Sequence, residues 1–386
     1  MTSTVLGFTS LTGAVGVKDD RPDLALLGVT TPGATSAAVL TRSLFSGPSV
    51  RLAREVDLSA LRGVVVVSGN ANVATGEQGL ADARRLRAWA AERLGCGPEE
   101  VLVASTGVIG VPYPLDRMGP GLDALPGPGP LDVDAFAQAI MTTDTRPKVA
   151  SRTVPTRTGA ATVTGVAKGV GMIEPDMATM LSFVVTDAQV PADDLDRVFR
   201  AVVARTYNAV SVDSDTSTSD TAAVIASGAA GPVDLAAFEA ALLEVCTDLV
   251  KMIASDGEGA TTLIEVHVTG ARDDAQAKLV AKAVVNSPLV KTAVHGADPN
   301  WGRVAMAVGK CATETDIHEE RVRIAFGGLE TYPAPVSAER RAELEAYLAR
   351  EEVVIEVDLG IAAGRFTAYG CDLTEGYIRI NADYTT

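Results

Sequence analysis

The sequence is poor in the residues that metal sites and common catalytic triads are built from. It has three histidines, His267, His295 and His318, and four cysteines, Cys96, Cys246, Cys311 and Cys371. The cysteines lie far apart with no CxxC pair, and the histidines form no cluster at ligand spacing. A structural metal or a disulfide framework is therefore not expected. No GxSxG elbow occurs, and three scattered histidines leave little material for a Ser-His-Asp triad. Long hydrophobic runs are absent too: no uncharged stretch approaches the roughly 20 residues that span a bilayer. The first residues, MTSTVLGFTSLTGAVGVKDD, lack a basic segment leading into an apolar one, so the expectation is a cytoplasmic protein without a membrane partner. Positive charge is scarce, with 33 Lys and Arg against 49 Asp and Glu, a net charge of −16 and a pI near 4.7. That balance argues against nucleic acid or an anionic membrane as partner and reads as a solvated acidic surface.

What is present is enough apolar material for a substantial core: 47% of 386 residues are hydrophobic and the mean hydropathy is +0.20, which excludes a disordered chain. Helical and strand patterns alternate from end to end, which predicts an α/β or α+β architecture. Runs rich in Val and Ile predict strands at Gly63–Ser68, Val101–Ser105, Ser182–Thr186, Leu263–Val268, Arg321–Phe326 and Val353–Leu359. Helical periodicity predicts helices over Leu80–Leu94, Asp193–Arg205 and Ala236–Ile253, which should cover the sheets. Leu125–Pro130 (LPGPGP) reads as the clearest loop, and there is no internal repeat or long linker.

One segment stands out chemically. In Lys168–Leu181, KGVGMIEPDMATML, glycines, a proline and acidic residues lead to a small-residue junction, Ala178-Thr179, followed by an apolar run. A Thr placed there can attack the carbonyl before it, shift the acyl group from N to O and, after hydrolysis, stand at a new N-terminus. Its own α-amine, titrating at about 7.7 to 8.0 when unperturbed, can then act as its base, and no histidine is needed. Taken alone, a Thr entering a strand is more simply a packing or backbone-satisfying residue.

Eight ordered segments weigh against that simpler reading. They are SGNANVATGEQG (68–79), ASTGVIG (104–110), AIMTTDTRPK (139–148), KGVGMIEPDMATML (168–181), SDTSTSDT (214–221), SDGEGATTLIEV (255–266), NSPLVKTAVHGADPNWGR (286–303) and NADYTT (381–386). Together they resemble the ornithine acetyltransferases, the bifunctional glutamate and ornithine N-acetyltransferase family. The resemblance implies a layered α/β fold of the N-terminal-nucleophile kind, sheets covered by helices, with a smaller C-terminal region. It implies self-cleavage between Ala178 and Thr179, giving chains 1–178 and 179–386 that stay together, with Thr179 as nucleophile. It also implies an oxyanion hole at Thr106 and Gly107, and substrate contacts from Thr145, Lys168, Thr179, Glu258, Asn381 and Thr386. Lys168, placed beside glycines in a loop, and Glu258 suit a zwitterion with a second amine, as cation and anion partners.

The expected reaction moves acetyl from N2-acetylornithine to glutamate in two half-steps with no cofactor and no metal, by chains assembled as α2β2 or larger. Whether acetyl-CoA is a second donor stays open. An amidohydrolase or aminopeptidase of the same architecture, or an uncleaved paralogue acting as a binding protein, are the alternatives. SVDSDTSTSD (211–220) lacks the EF-hand Gly and closing Glu and reads as a hydrogen-bonded loop near the site rather than a calcium loop. NANVATGEQG carries no nucleotide-binding glycine pattern. His295 and Trp301 read as hydrogen-bonding and packing residues. RSLFSGPSV (42–50), where biosynthetic members have a TN...AAPV pattern, and Ala297, where they carry Cys, depart from the housekeeping enzymes. Both are more like actinobacterial relatives of specialised-metabolite pathways.

Overall fold

The run Gly63–Asn70, GVVVVSGN, shows how the sheets are built. Successive strand side chains point to opposite faces, so an unbroken valine run suits a strand covered on both sides. Val64 and Val66 enter one hydrophobic core while Val65 and Val67 enter another.

The computed structural model describes residues 4–19, 21–174 and 180–383; Ala178, Thr179 and Thr386 lie outside the described residues. Residues 8–139 form β1 (Phe8–Gly13), β2 (Leu24–Val29), β3 (Thr35–Leu40), α1 (Pro48–Ala53), β4 (Gly63–Asn70), α2 (Gly76–Leu94), β5 (Val101–Val108), α3 (Leu115–Ala124), β6 (Gly129–Pro130) and α4 (Val133–Ala139). Residues 148–255 form β7 (Lys148–Pro155), β8 (Ala160–Lys168), β9 (Leu181–Gln189), α5 (Ala192–Arg205), β10 (Thr221–Pro232) and α6 (Leu235–Ser255). Residues 263–383 form β11 (Leu263–Ala271), α7 (Asp274–Val285), α8 (Pro288–His295), α9 (Trp301–Gly309), β12 (Arg323–Phe326), β13 (Leu329–Tyr332), α10 (Ala338–Leu348), β14 (Glu352–Asp358), β15 (Gly364–Cys371) and α11 (Glu375–Asp383).

The strands make three five-stranded sheets, in the orders β5-β4-β2-β1-β6, β3-β10-β9-β8-β7 and β13-β12-β14-β11-β15. The first two lie face to face. Leu27, Val64, Val66 and Leu102 of one meet Val166, Phe183, Val185 and Ile225 of the other, and Phe136 of α4 closes the same core. The outer face of the first sheet carries α2 and α3 through Leu80, Leu86, Met118 and Leu122. The outer face of the second carries α5 and α6 through Leu195, Phe199, Leu242 and Leu249. The third sheet has its own core with α7 to α10. This is a layered α/β arrangement with sheets covered by helices and a smaller C-terminal region, as the resemblance implies. Among the described residues no helix is long and apolar enough to cross a membrane.

The predicted strands and helices are all present, with shifted ends. Arg321 belongs to a short turn, so the strand there starts at Arg323. The predicted loop at 125–130 ends in β6, where Thr9 pairs with Pro130 and Ser10 with Gly129. A proline is tolerated there because β6 is the sheet's edge. Lys168 is the last residue of β8 rather than a loop residue: it pairs with Leu181, and the strand's ladder runs to that point.

Candidate active site

Strand ends from both stacked sheets converge on one cavity of about 150 Å³. From the first sheet come Thr106 and Gly107, near the end of β5; from the second come Lys168 at the end of β8, Leu181 at the start of β9 and Met180 directly before it. The loop leading into β10 contributes Ser217–Asp220, the turn after α6 contributes Glu258, and α11 contributes Tyr377 and Asn381.

Gly107 sits where no other residue fits. Its φ is +127°, and a Cβ there would lie 2.3 Å from the Gly69 carbonyl carbon and 2.6 Å from the Asn70 nitrogen, both backbone atoms of β4. Backbone cannot move aside as a flexible side chain can, so β4 and β5 approach this closely only with glycine at 107. The same close approach sets the neighbouring Thr106 hydroxyl at the cavity wall.

Lys168 Nζ donates to Thr106 Oγ1 at 3.2 Å. Because that oxygen accepts from Lys168, the Thr106 hydroxyl hydrogen is left to donate elsewhere. Lys168 is itself buried, and burial lowers the pKa of its ammonium against the opposing pull of Asp144, Asp220 and Glu258. Beneath it lies a buried ion cluster. Lys148 Nζ bonds Asp144 Oδ1 at 2.7 Å and Asp256 Oδ2 at 2.6 Å. Asp144 also accepts the N–H groups of Gly169 at 2.7 Å and Thr142 at 3.0 Å. Burial works against its charge, but the Lys168 and Lys148 ammoniums and the Thr142 N–H outweigh it and hold the carboxyl at about 2.

On the opposite wall Glu258 Oε1 accepts from Thr143 Oγ1 at 3.1 Å, and Oε2 accepts from Asn381 Nδ2 at 2.9 Å. The Glu258 N–H is itself bonded to the Val170 carbonyl at 2.8 Å, which ties its turn to the segment after β8. Gly259 lets the chain's last helix come in: its φ is +70°, and a Cβ would stand 2.4 Å from the Tyr377 nitrogen. Asp213 holds the segment after β8 from the other side, accepting from Met172 N at 2.6 Å and Ile173 N at 2.7 Å. Tyr377, whose hydroxyl reaches Asp213 Oδ2 at 3.5 Å, has its pKa pushed up to about 12 by burial and by Asp213, Asp215 and Glu258.

Of the residues singled out in the sequence, Thr106, Gly107, Lys168, Glu258 and Asn381 line this one cavity. Thr145 does not. It is exposed, and both its N–H, at 3.1 Å, and its hydroxyl are given to Asp256; Thr142 and Thr143 line the cavity in its place. The loop 211–220 lies at the site, as expected of it. His295 bonds Asp372 at 2.9 Å, and Trp301 stacks on Tyr332 with ring centroids 4.9 Å apart, so both have the hydrogen-bonding and packing places anticipated. Asp144, Lys148, Asp256 and Asp220 were not anticipated. For Asp220 the available signal was a charge directly before a strand that is otherwise largely apolar.

The arrangement offers a hydroxyl and a backbone N–H on adjacent residues, a buried ammonium beside them, and a carboxylate across the cavity. Such a set can receive a developing oxyanion at one end and hold a charged amino acid at the other.

Comparison with known proteins gives a family model, the ArgJ family, that matches residues 10–386. The Arginine biosynthesis bifunctional protein ArgJ of Rhodococcoides fascians is 55% identical over 384 residues, spanning 98% of this chain and 94% of its own length. The Glutamate N-acetyltransferase Oat2 of Streptomyces clavuligerus is 57% identical over 388 residues and 98% of both chains. Among solved structures, the Arginine biosynthesis bifunctional protein ArgJ of Bacillus halodurans is 46% identical with a TM-score of 0.50, and the whole of that chain corresponds to 53% of this one.

Proposed function

The chain belongs to the ArgJ family, and from that premise we propose that it is an acetyltransferase of arginine biosynthesis that passes acetyl from N2-acetylornithine to glutamate through an acetyl ester on Thr179. The observation that carries the reading is the convergence of Thr106, Gly107, Lys168, Glu258 and Asn381 on a cavity also lined by Met180, the residue after Thr179 in the sequence.

In this reading the Ala178–Thr179 bond is cut first, which frees the Thr179 α-amine. That amine takes the hydroxyl proton as Oγ1 attacks the acetyl carbonyl. The tetrahedral oxyanion is received by the Thr106 hydroxyl and the Gly107 N–H, a contribution of order 2.7 to 4 kcal/mol per donor. Collapse breaks the C–N bond, the proton passes to the departing amine, and ornithine leaves. The glutamate amine then attacks the ester, and N-acetylglutamate departs with Thr179 restored. Lys168 and Glu258 hold the carboxylate and ammonium of the substrate.

The fold suits a divided chain. In the second sheet β3, β7 and β8 precede the cleavage point and β9 and β10 follow it, and β8 pairs with β9 from Val163↔Thr186 to Lys168↔Leu181. Pieces 1–178 and 179–386 would share one sheet and a core. The full match of the solved Bacillus halodurans chain to little more than half of this one is also the share that piece 179–386 would have. By the same reading the paired pieces assemble as α2β2 or larger, which gel filtration tests.

Intact mass and an exchange assay test the proposal together. The purified protein should give two masses that divide at 178/179, and it should release ornithine from acetylornithine rapidly only when glutamate is present. Ornithine released equally fast without glutamate would mean that water resolves the acyl-enzyme, as in an amidohydrolase. A single intact chain that turns over would remove Thr179 from the mechanism.

A further inference from the structure

Asp220 stands directly before β10 and is 2% exposed, yet it lines the cavity. Its backbone is fixed, since its carbonyl accepts the Thr41 N–H at 2.9 Å. Its side chain is not fully used: Oδ2 is buried with no hydrogen-bond partner among the described residues. A buried carboxylate left unpaired is costly, whereas a neutral carboxyl is cheaper to bury and carries an O–H donor. Burial accordingly pushes the Asp220 pKa well up, against the Ser217 and Thr41 hydroxyls, the Lys168 ammonium and the Met180 N–H, which favour the charged form.

The charges facing it reinforce the point. Among the described cavity residues Lys168 on β8 is the ammonium, while Asp213 and Asp215 of the same loop and Glu258 across the cavity are carboxyls. Behind Asp220, Arg54 Nη2 bonds the Thr41 carbonyl at 2.9 Å, which directs that guanidinium to a backbone oxygen. If all four cavity carboxyls were ionised against one ammonium, the cavity would repel a substrate carboxylate. With Asp220 neutral, one repulsive group becomes a donor close to Lys168.

We propose that Asp220 is a further specificity-determining residue, donating a hydrogen bond from its protonated carboxyl to the carboxylate of the bound amino acid, alongside Lys168. This rests on the reading that amino acids are the substrates. It separates two jobs in the cavity: Thr106 and Gly107 receive the acetyl oxygen, while Lys168 and Asp220 receive the carboxylate.

The test compares wild type, Asp220→Ala and Asp220→Asn for kcat and KM with acetylornithine, from neutral to alkaline pH, with processing checked by intact mass. Asp220→Ala should raise KM about 10- to 100-fold, the loss expected for one hydrogen bond to a charged group, and change kcat less. Asn keeps an N–H donor and cannot ionise. It should recover a large part of what Ala loses, and its KM should rise less than that of wild type at alkaline pH, because only the Lys168 ammonium, whose pKa burial lowers, is then left to lose a proton. If Ala fails to fold or process, the Asn variant decides by its pH profile. An Asn variant as impaired as Ala, an alkaline rise as large in Asn as in wild type, a wild-type KM without that rise, or an Ala variant with unchanged KM would each overturn the inference. Wild type without any acetyl exchange would overturn the acetyl-transfer reading and this inference with it. Wild-type exchange with unaffected Asp220 variants would overturn the inference alone.

Discussion

Lys168 Nζ meets Thr106 Oγ1 at 3.2 Å, joining the end of β8 in one sheet to β5 in the sheet stacked upon it. The contact spans 62 positions of sequence and seats both residues at the mouth of the seam between the sheets. It also orients the Thr106 hydroxyl, whose hydrogen is directed away from the ammonium.

Thr106→Val tests what that hydroxyl does. Valine keeps the branched shape and the strand preference, so the melting temperature should change little. If Thr106 donates to the oxyanion, kcat should fall about 100- to 1000-fold with KM nearly constant. A kcat within a few-fold of wild type would leave Gly107 to receive the charge without it.

Glu258→Gln removes a charge while keeping the shape that Thr143 and Asn381 hold at 3.1 and 2.9 Å. Loss of a charge-assisted contact to a substrate ammonium costs about 1.5 to 3 kcal/mol, or roughly 10- to 100-fold in KM. Self-cleavage should continue, which the two masses would report. Unchanged kinetics with acetylornithine would mean that Glu258 touches no substrate.

One hydroxyl is expected to do two jobs at Thr179. Thr179→Ala should yield a single chain of the full 39.8 kDa with no acetyl transfer. Thr179→Ser should still cleave, more slowly, because loss of the methyl frees χ1 and loosens the aim of the oxygen. N-terminal sequencing of the second wild-type piece should begin Thr-Met-Leu-Ser. An Ala variant that still divides at 178/179 would defeat the mechanism.

Acid should loosen the site's foundation before its cores. Asp144 is held at about 2 in the fold against 3.8 as its ordinary value. The sign follows from the depressed value: its contribution is present above pH 3.8 and is lost as pH falls toward 2. It amounts to roughly 2 kcal/mol, taking 1.36 kcal/mol per unit. Melting temperature measured against pH should therefore drop across that window in wild type, and Asp144→Asn should be less stable at neutral pH with a shallower acid slope. Equal slopes in the two proteins would show that Asp144 titrates normally.

Several of these features were legible in the residues themselves. The apolar, Val-containing runs at 63–68 and 101–105 announce strands, and the spacing of Leu80, Ala83, Leu86 and Ala90 announces a helix with one apolar face; both signals are local. Strand ends were harder, because β6 and β8 end where a partner's ladder ends, and the partner is distant in sequence. The motif segments named five residues that do share one cavity. Thr145 was named by the same route, yet its polar groups go to Asp256, since a segment can mark the neighbourhood without saying which of its hydroxyls faces inward.

The sequence by itself determined the element types, the layered α/β class, the family and the chemistry on offer, because helix and strand periods, residue types and motif order are all properties of neighbours along the chain. Only the tertiary structure decided that Lys168 reaches Thr106, that Lys148 lies between Asp144 and Asp256, that Glu258 meets Asn381, and that Asp220 is buried with an unused oxygen. The physical reason is that burial and charge pairing depend on which strand ends the two stacked sheets bring together, and that register is set by the packing of side chains far apart in sequence.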